Sequence, residues 1–181
     1  MREHLVISLR ITIALLVITC GVYPLIVWAV AQFAFGHQAN GSLVTQNGRV
    51  IGSELIGQNF AGERFFHSRP SAAKYNGTAS GGSNLGPTSR ALAERIAADA
   101  RAFGGGDIPA DAVTTSASGL DPHISPANAF SQAARVARAN GLSVERVNAL
   151  IRARTEARFL GVFGEPRVNV LLLNLDLLRQ R

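Results

Sequence analysis

The chain has 181 residues, is 47% hydrophobic, and carries 18 Lys or Arg against 12 Asp or Glu, for a formal charge of +6. That length fits one ordinary domain plus an extra element, and the single cysteine, Cys20, excludes an internal disulfide framework. The arginines are scattered, mostly alternating with acids or alanines, and form no block of five like charges; this argues against a nucleic-acid partner and fits solvated helix faces, with a mildly basic surface for an acidic partner or lipid headgroups as the alternative.

Residues 11–35, ITIALLVITCGVYPLIVWAVAQFAF, contain no charge. As a helix they would be roughly 37 Å long, enough to cross a hydrocarbon core of about 30 Å with some tilt. Pro24 would break a soluble helix but is tolerated in a membrane helix as a kink. The competing reading is a cleaved signal peptide ending at Ala29-Val30-Ala31. Apolar character runs on past that point, and the stretch exceeds the usual signal core. A retained anchor is therefore expected. Arg2 and Arg10 precede the span, and no basic residue follows until Arg49. This predicts a cytoplasmic N-terminus at 1–10, a transmembrane helix at 11–35 and an extracytoplasmic domain at 36–181.

Residues 36–42, GHQANGS, read as a polar linker. Asn47-Gly48 between Leu43–Gln46 and Arg49–Gly52 is a strong hairpin signal, because both turn positions require positive φ. ERFFHSRPSA, 63–72, suggests a short strand or extended run ended by Pro70. KYNGTASGGSNLGP, 74–87, is a long glycine-rich loop, of the kind that is usually functional or mobile. A helix is predicted from Thr88 or Ser89 to about Phe103, with Leu92, Ile96, Ala100 and Phe103 on one face. Arg90/Glu94 and Arg95/Asp99 would pair on the other, and Gly104-Gly105-Gly106 would end the helix.

Residues 110–116 read as a short strand. Ser125 and Pro126 are good N-cap and first-turn residues for a helix to Asn140, capped by Gly141. Ser143 caps the next helix, expected to run to about Arg158, with Leu142 and Val147 as a hydrophobic staple and Val144, Val147, Leu150 and Ile151 facing the core. Gly161 and Gly164 interrupt the chain. EPRVNVLLLNLDLL, 165–178, suits a strand buried on both faces, turning helical near its end. The fold class is α+β: one N-terminal transmembrane helix and a mixed domain of short strands and about three helices.

SGLDPHISPANA, 118–129, crowds Ser118, Asp121, His123 and Ser125 together. Asp121, His123 and Ser125 stand at i, i+2 and i+4 and would point outward in parallel rather than converge. A catalytic triad draws its members from distant segments. They are expected to be turn, loop and cap residues. The histidines lack zinc-ligand spacing, and no metal site is predicted. Gly81–Pro87 lacks the Gly-Lys-[Ser/Thr] of a phosphate loop, and Pro87 removes an N–H donor. The residues thus suggest a single-span protein with an accessory domain and no catalytic residues.

GSELIGQNF, RPSAAKYN, SGGSNLGP, SGLDPHISPANA, QAARVARANGL and GEPRVNVLLLNL follow one another along nearly the whole chain. In that order they resemble the C subunit of bacterial Kdp-type potassium-transporting ATPases. The resemblance implies a non-catalytic inner-membrane subunit of a high-affinity K⁺ uptake complex. Its partners would be a K⁺-conducting A subunit, an ATP-hydrolysing B subunit and a small single-span F subunit, besides membrane lipid. It also implies a role in assembly and in raising the B subunit's affinity for ATP; ATP and K⁺ belong to the complex, and no cofactor is assigned to this chain. Because ATP is cytoplasmic and the flanking charges put the domain outside, that effect is expected to be indirect. The partner-facing or ion-access candidates are Asn76, Ser83, Asn84, Ser118, Asp121, His123, Ser125, Glu165 and Arg167. Rival readings are an independent secreted enzyme or binding domain with a cleaved signal peptide, and a sensor domain, for which the ten residues before the span leave no output module.

Overall fold

A computed structural model describes residues 1–103 and 106–180. The chain divides into two compact units, Met1–Leu43 and Val44–Arg181.

In the first unit, α1 (Arg2–Val17) and α2 (Tyr23–Ala34) are joined by a π-helical turn, Ile18–Val22. They form one helical run of 33 residues, long and apolar enough to cross a membrane. Its side chains point outward all round, and neither helix buries a residue. The π turn explains how Pro24 fits. Proline has no N–H, and its ring crowds the carbonyl four residues back, here Cys20. Widening the turn, so that Tyr23 N–H donates to Ile18 O, accommodates that crowding inside a continuous helix. The expected polar linker at 36–42 is corrected in part. Gly36–Ala39 forms a helical turn, α3, and Asn40 Nδ2 closes it by donating to Gly36 O at 2.6 Å and to Gln32 Oε1 at 3.1 Å.

The second unit opens, as expected, with a hairpin. Strands β1 (Leu43–Gln46) and β2 (Arg49–Ser53) flank Asn47 at φ 51° and Gly48 at φ 76°, the left-handed pair that a tight primed turn needs. Helix α4 spans Arg90–Phe103, and Ser89 Oγ accepts from Leu92 N–H at its start. Leu92, Ile96, Ala100 and Phe103 are all half-buried, as its periodicity predicts. Arg90 pairs with Glu94 at 2.7 Å. Arg95 and Asp99, expected on the outer face, are instead half-buried, with Arg95 Nε and Asp99 Oδ2 unpartnered. Of the proposed glycine stop, Gly104 and Gly105 lie outside the described residues.

Four segments depart from expectation. Residues 110–116 are not a strand. Ala110–Val113 is one helical turn, α5, with Thr114 Oγ1 donating back to Ala110 O at 2.6 Å. Of the run at 63–72, residues 63–65 form a turn and only 66–71 continue without one, pairing with no strand. Helix α7 (Val144–Ala153) stops well short of Arg158, because Thr155–Glu156 becomes strand β4. The C-terminal run is strand β5 only over Arg167–Asn169 and then helix α8, Val170–Leu178. Asn169 makes the switch: its Oδ1 caps the helix by accepting from Leu172 N–H. α8 is buried nearly all round, so its sequence shows no helical stripe, and a largely apolar run of this length reads equally well as a buried strand.

The core forms where helix α6 (Pro126–Asn140), α7 and α8 meet an antiparallel sheet ordered β3–β5–β4, with β3 at His123–Ile124. The register pairs Ile124 with Val168, and Val168 with Thr155. Ile124, Val136, Val147, Ile151, Val168, Leu173 and Leu177 fill this core together with Phe66 from the extended run. Ser125 and Ser143 cap α6 and α7, and Gly141 ends α6 at φ 67°. Asp176 on α8 takes a two-pronged ion pair from Arg154, which locks the end of α7 onto α8.

Candidate functional site

The run at 63–69 is held by side chains where a strand would hold it by backbone. Asn174 of α8 accepts from Phe66 N–H at 2.8 Å and donates to Phe66 O at 3.0 Å. Gln132 of α6 treats His67 the same way, at 2.8 and 3.1 Å. Arg135 donates to the Glu63 and Phe65 carbonyls, and Asn140 donates to that of Arg64. Asn174 and Gln132 each supply one donor and one acceptor, so each replaces a rung of a β-ladder. This clamp delivers Arg69 to the next layer.

Arg69 joins three loops. Its guanidinium donates to Thr114 O and Thr115 O at 3.4 and 3.3 Å, and pairs with Asp121 Oδ2 at 3.2 Å. Tyr75 OH donates to Arg69 O at 2.5 Å, and burial pushes that phenol's pKa above its ordinary value. Ser71 Oγ donates to Gly119 O at 2.5 Å. Gly81 N–H donates to Ser118 O at 2.8 Å, and Gly57 N–H donates to Leu120 O at 2.8 Å. Segments 53–58 and 69–82 therefore both seat on 118–121. The seating needs glycine: a Cβ on Gly119, at φ 65°, would lie 2.6 Å from Gly81 O, and one on Gly57 2.6 Å from Asp121 O. Lys74, Tyr75 and Asn84 also hold positive φ in the long loop. Gly81 N–H is thus committed to the protein.

The acid and imidazole of the 118–129 stretch stay together, while the hydroxyl turns away from them. Asp121 Oδ1 accepts from His123 N–H at 2.9 Å and lies 3.6 Å from His123 Nδ1, a local turn two residues long. Those two side chains do meet, against the expectation that they would stand parallel. Ser125 turns elsewhere: its N–H and Oγ donate to Asp111 at 2.7 and 2.8 Å, while Oγ accepts from Asn128 N–H. Asn128 Nδ2 adds a third donor to Asp111 at 3.1 Å. The imidazole and the hydroxyl are thus engaged by different carboxylates, and Ser125 caps α6 as expected. Burial acts to raise the Asp121 carboxyl, but hydrogen bonds from His123 and the charge of Arg69 outweigh it and hold the pKa below its ordinary value.

Five of the nine candidates, Asp121, His123, Ser125, Glu165 and Arg167, line one open cleft of about 430 Å³ with Asp111 and Arg69. Glu165 pairs with Arg158 at 2.7 Å and Arg167 with Glu156 at 2.8 Å, so both charges at its rim are partnered. Ser83 and Asn84 line a separate cleft of about 370 Å³ against α4, and Ser118 lines a third beside Leu55 and Ile56. Asn76 stays in an exposed turn, where its Oδ1 accepts from Thr78 N–H and Oγ1. Sequence reasoning missed Arg69 and Asp111, which organise the site. The Arg69-Pro70 signal was read only as a strand end, and Asp111 sat inside a misread strand.

Residues 5–179 match the family described as "K+-transporting ATPase, c chain" (KdpC). Among relatives named "Potassium-transporting ATPase KdpC subunit", that of Gloeobacter violaceus is 56% identical, covering 94% of this chain and 93% of the relative. That of Myxococcus xanthus is 54% identical, covering 96% and 86%, and that of Koribacter versatilis 49% identical, covering 98% and 95%. The chain belongs to the family of potassium-transporting ATPase c chains.

Proposed function

We propose that this family member is a non-catalytic, single-span subunit of an ATP-driven K⁺ uptake complex in a bacterial inner membrane, with its N-terminus cytoplasmic and residues 36–181 periplasmic. The observation that carries the reading is the family match over residues 5–179, which takes in the apolar helical run as well as the domain. The basic residues before the run support the orientation. The partners are the K⁺-conducting A subunit, the ATP-hydrolysing B subunit and the small F subunit, and the chain is needed for their assembly. It raises the ATP affinity of the hydrolysing subunit indirectly, by contacting one transport state better than another. A tenfold change in ATP affinity needs only about 1.4 kcal/mol of such differential contact.

Loops 74–87 and 118–126 face the partner or the ion-access side, and Asp121 and His123 tune that surface. The glycine-enforced seating of these loops on one another supports a fixed docking shape. Gentle-detergent co-purification with intact-mass analysis tests the core of the reading: the full-length mass should appear together with the other subunits. A mature chain lacking residues 1–31, active without partners, would refute it. Crosslinking of a nucleotide photoprobe to any residue in 36–181 would overturn the indirect route. Unchanged assembly and K⁺ affinity in both Asp121→Ala and His123→Ala would remove those residues from it.

A further inference from the structure

Beyond β4 the chain projects a short apolar hairpin. Phe159 and Phe163 exchange both backbone hydrogen bonds at 2.9 Å, closing a tip of Leu160, Gly161 and Val162. Phe159 is 71% exposed, Leu160 75%, Val162 72% and Phe163 64%. Single exposed apolar residues need no explanation, but four on one tip mark a contact surface. Leu160 sharpens the point. It holds φ at 52°, a left-handed conformation unfavourable for a branched residue by about 1–2 kcal/mol, and gains little burial in return within this chain. The tip is also pre-shaped, since its cross-strand pair and the positive-φ glycines 161 and 164 fix its geometry before any contact.

The surroundings select the class of partner. At the base of the tip stand two ion pairs, Arg158–Glu165 and Arg167–Glu156, which sum to no net charge. Anionic lipid headgroups would favour unpaired cations there. A neutral polar ring around an aromatic centre is instead the anatomy of a protein–protein contact, in which the rim excludes water from the anchors. Glu165 and Arg167 also line the cleft below Asp121, so the tip continues the surface already assigned to partners.

We propose that the 159–163 hairpin is the anchor by which this chain docks, its two phenylalanines and Leu160 entering an apolar pocket on another protein subunit of the ATPase. This rests on the functional reading above. The test uses the full chain co-expressed with the rest of the complex, comparing wild type, Phe159→Ser/Phe163→Ser and, as a control at another exposed apolar position, Val50→Ser. The double variant should lower co-purification at least tenfold while its thermal transition stays within a few degrees of wild type. Val50→Ser should co-purify as wild type does. A photo-crosslinking amino acid at Val162 should yield an adduct with a different protein subunit. Adducts confined to lipid or to a second copy of this chain, or full retention of the double variant, would overturn the proposal. Failure of the wild type to co-purify would instead sink the functional reading itself.

Discussion

Replacing Asn174 by leucine tests the side-chain clamp directly. Asn174 is 1% exposed, and Phe66, whose backbone it serves in both directions, is fully buried. Leucine has a similar volume but offers neither donor nor acceptor. The Phe66 N–H and C=O would then be stranded away from water, at about 1–3 kcal/mol each. Leucine's better transfer from water offsets roughly 1–2 kcal/mol of that. The net loss centres on about 2.5 kcal/mol, which in a domain of this size lowers Tm by roughly 7 °C. The assay is thermal or urea unfolding of the purified full chain in detergent, following the domain's transition. Hydrogen exchange at Phe66 and His67 should accelerate together, because the neighbouring Gln132 clamp shares the strap. A Tm within 2 °C of wild type would refute the reasoning. It would mean that the 63–69 backbone finds its partners in a strand, as its sequence suggests, and not in the amides of α6 and α8.

Asp121→Asn should be measured against pH. The native carboxyl lies below its ordinary value of 3.8, so its contribution is complete above that pH and fades as pH falls through the native pKa. The stability gap between wild type and variant should therefore be constant near neutrality and close in acid; a gap that widens below pH ~4 would contradict the pairing with Arg69 and His123. Gly119→Ala forces a Cβ to within 2.6 Å of Gly81 O at a positive φ, and should cost more than about 2 kcal/mol in urea unfolding while loosening residues 80–82 in hydrogen exchange. Asp111→Ala removes one acceptor from three donors, Ser125 N–H, Ser125 Oγ and Asn128 Nδ2. It should cost about 2–4 kcal/mol and fray the first turn of α6, detectable by amide exchange at Ala127–Ala129.

What was legible in the sequence was what neighbouring residues decide. Asn47-Gly48 fixes its own turn, Ser125-Pro126 starts its own helix, and Gly141 ends it. Several misreadings depend on partners far along the chain. The 63–72 run has strand-like composition, but its neighbours are amide side chains 65 and 108 residues away, and a buried glutamine on α6 looks the same in sequence as a solvated one. α7 ends early because Thr155 and Glu156 pair with Val168 and Arg167, which no local pattern announces. The helix in 165–178 begins earlier than its expected place near the end, because burial on nearly every side erases the stripe that distinguishes helix from strand.

The same contrast governs the site. The polar groups of 118–129 invited a chemical reading, yet nearly all are spent on geometry. Asp121 fixes the turn at His123 and receives Arg69, Asp111 gathers Ser125 and Asn128, and the Ser118 carbonyl receives Gly81. A hydroxyl that donates to one carboxylate while accepting a helix N–H is poorly placed to attack a substrate, and the imidazole that would activate it is turned toward another acid. Polar groups deployed this way make a rigid surface and leave little chemistry at it. The unspent features lie nearby and are of a different kind: four apolar side chains on a pre-shaped tip, one of them a leucine held in a costly conformation. Rigid loops beside an unsatisfied apolar anchor supply shape and binding energy separately, a division suited to a subunit that acts through what it holds in place.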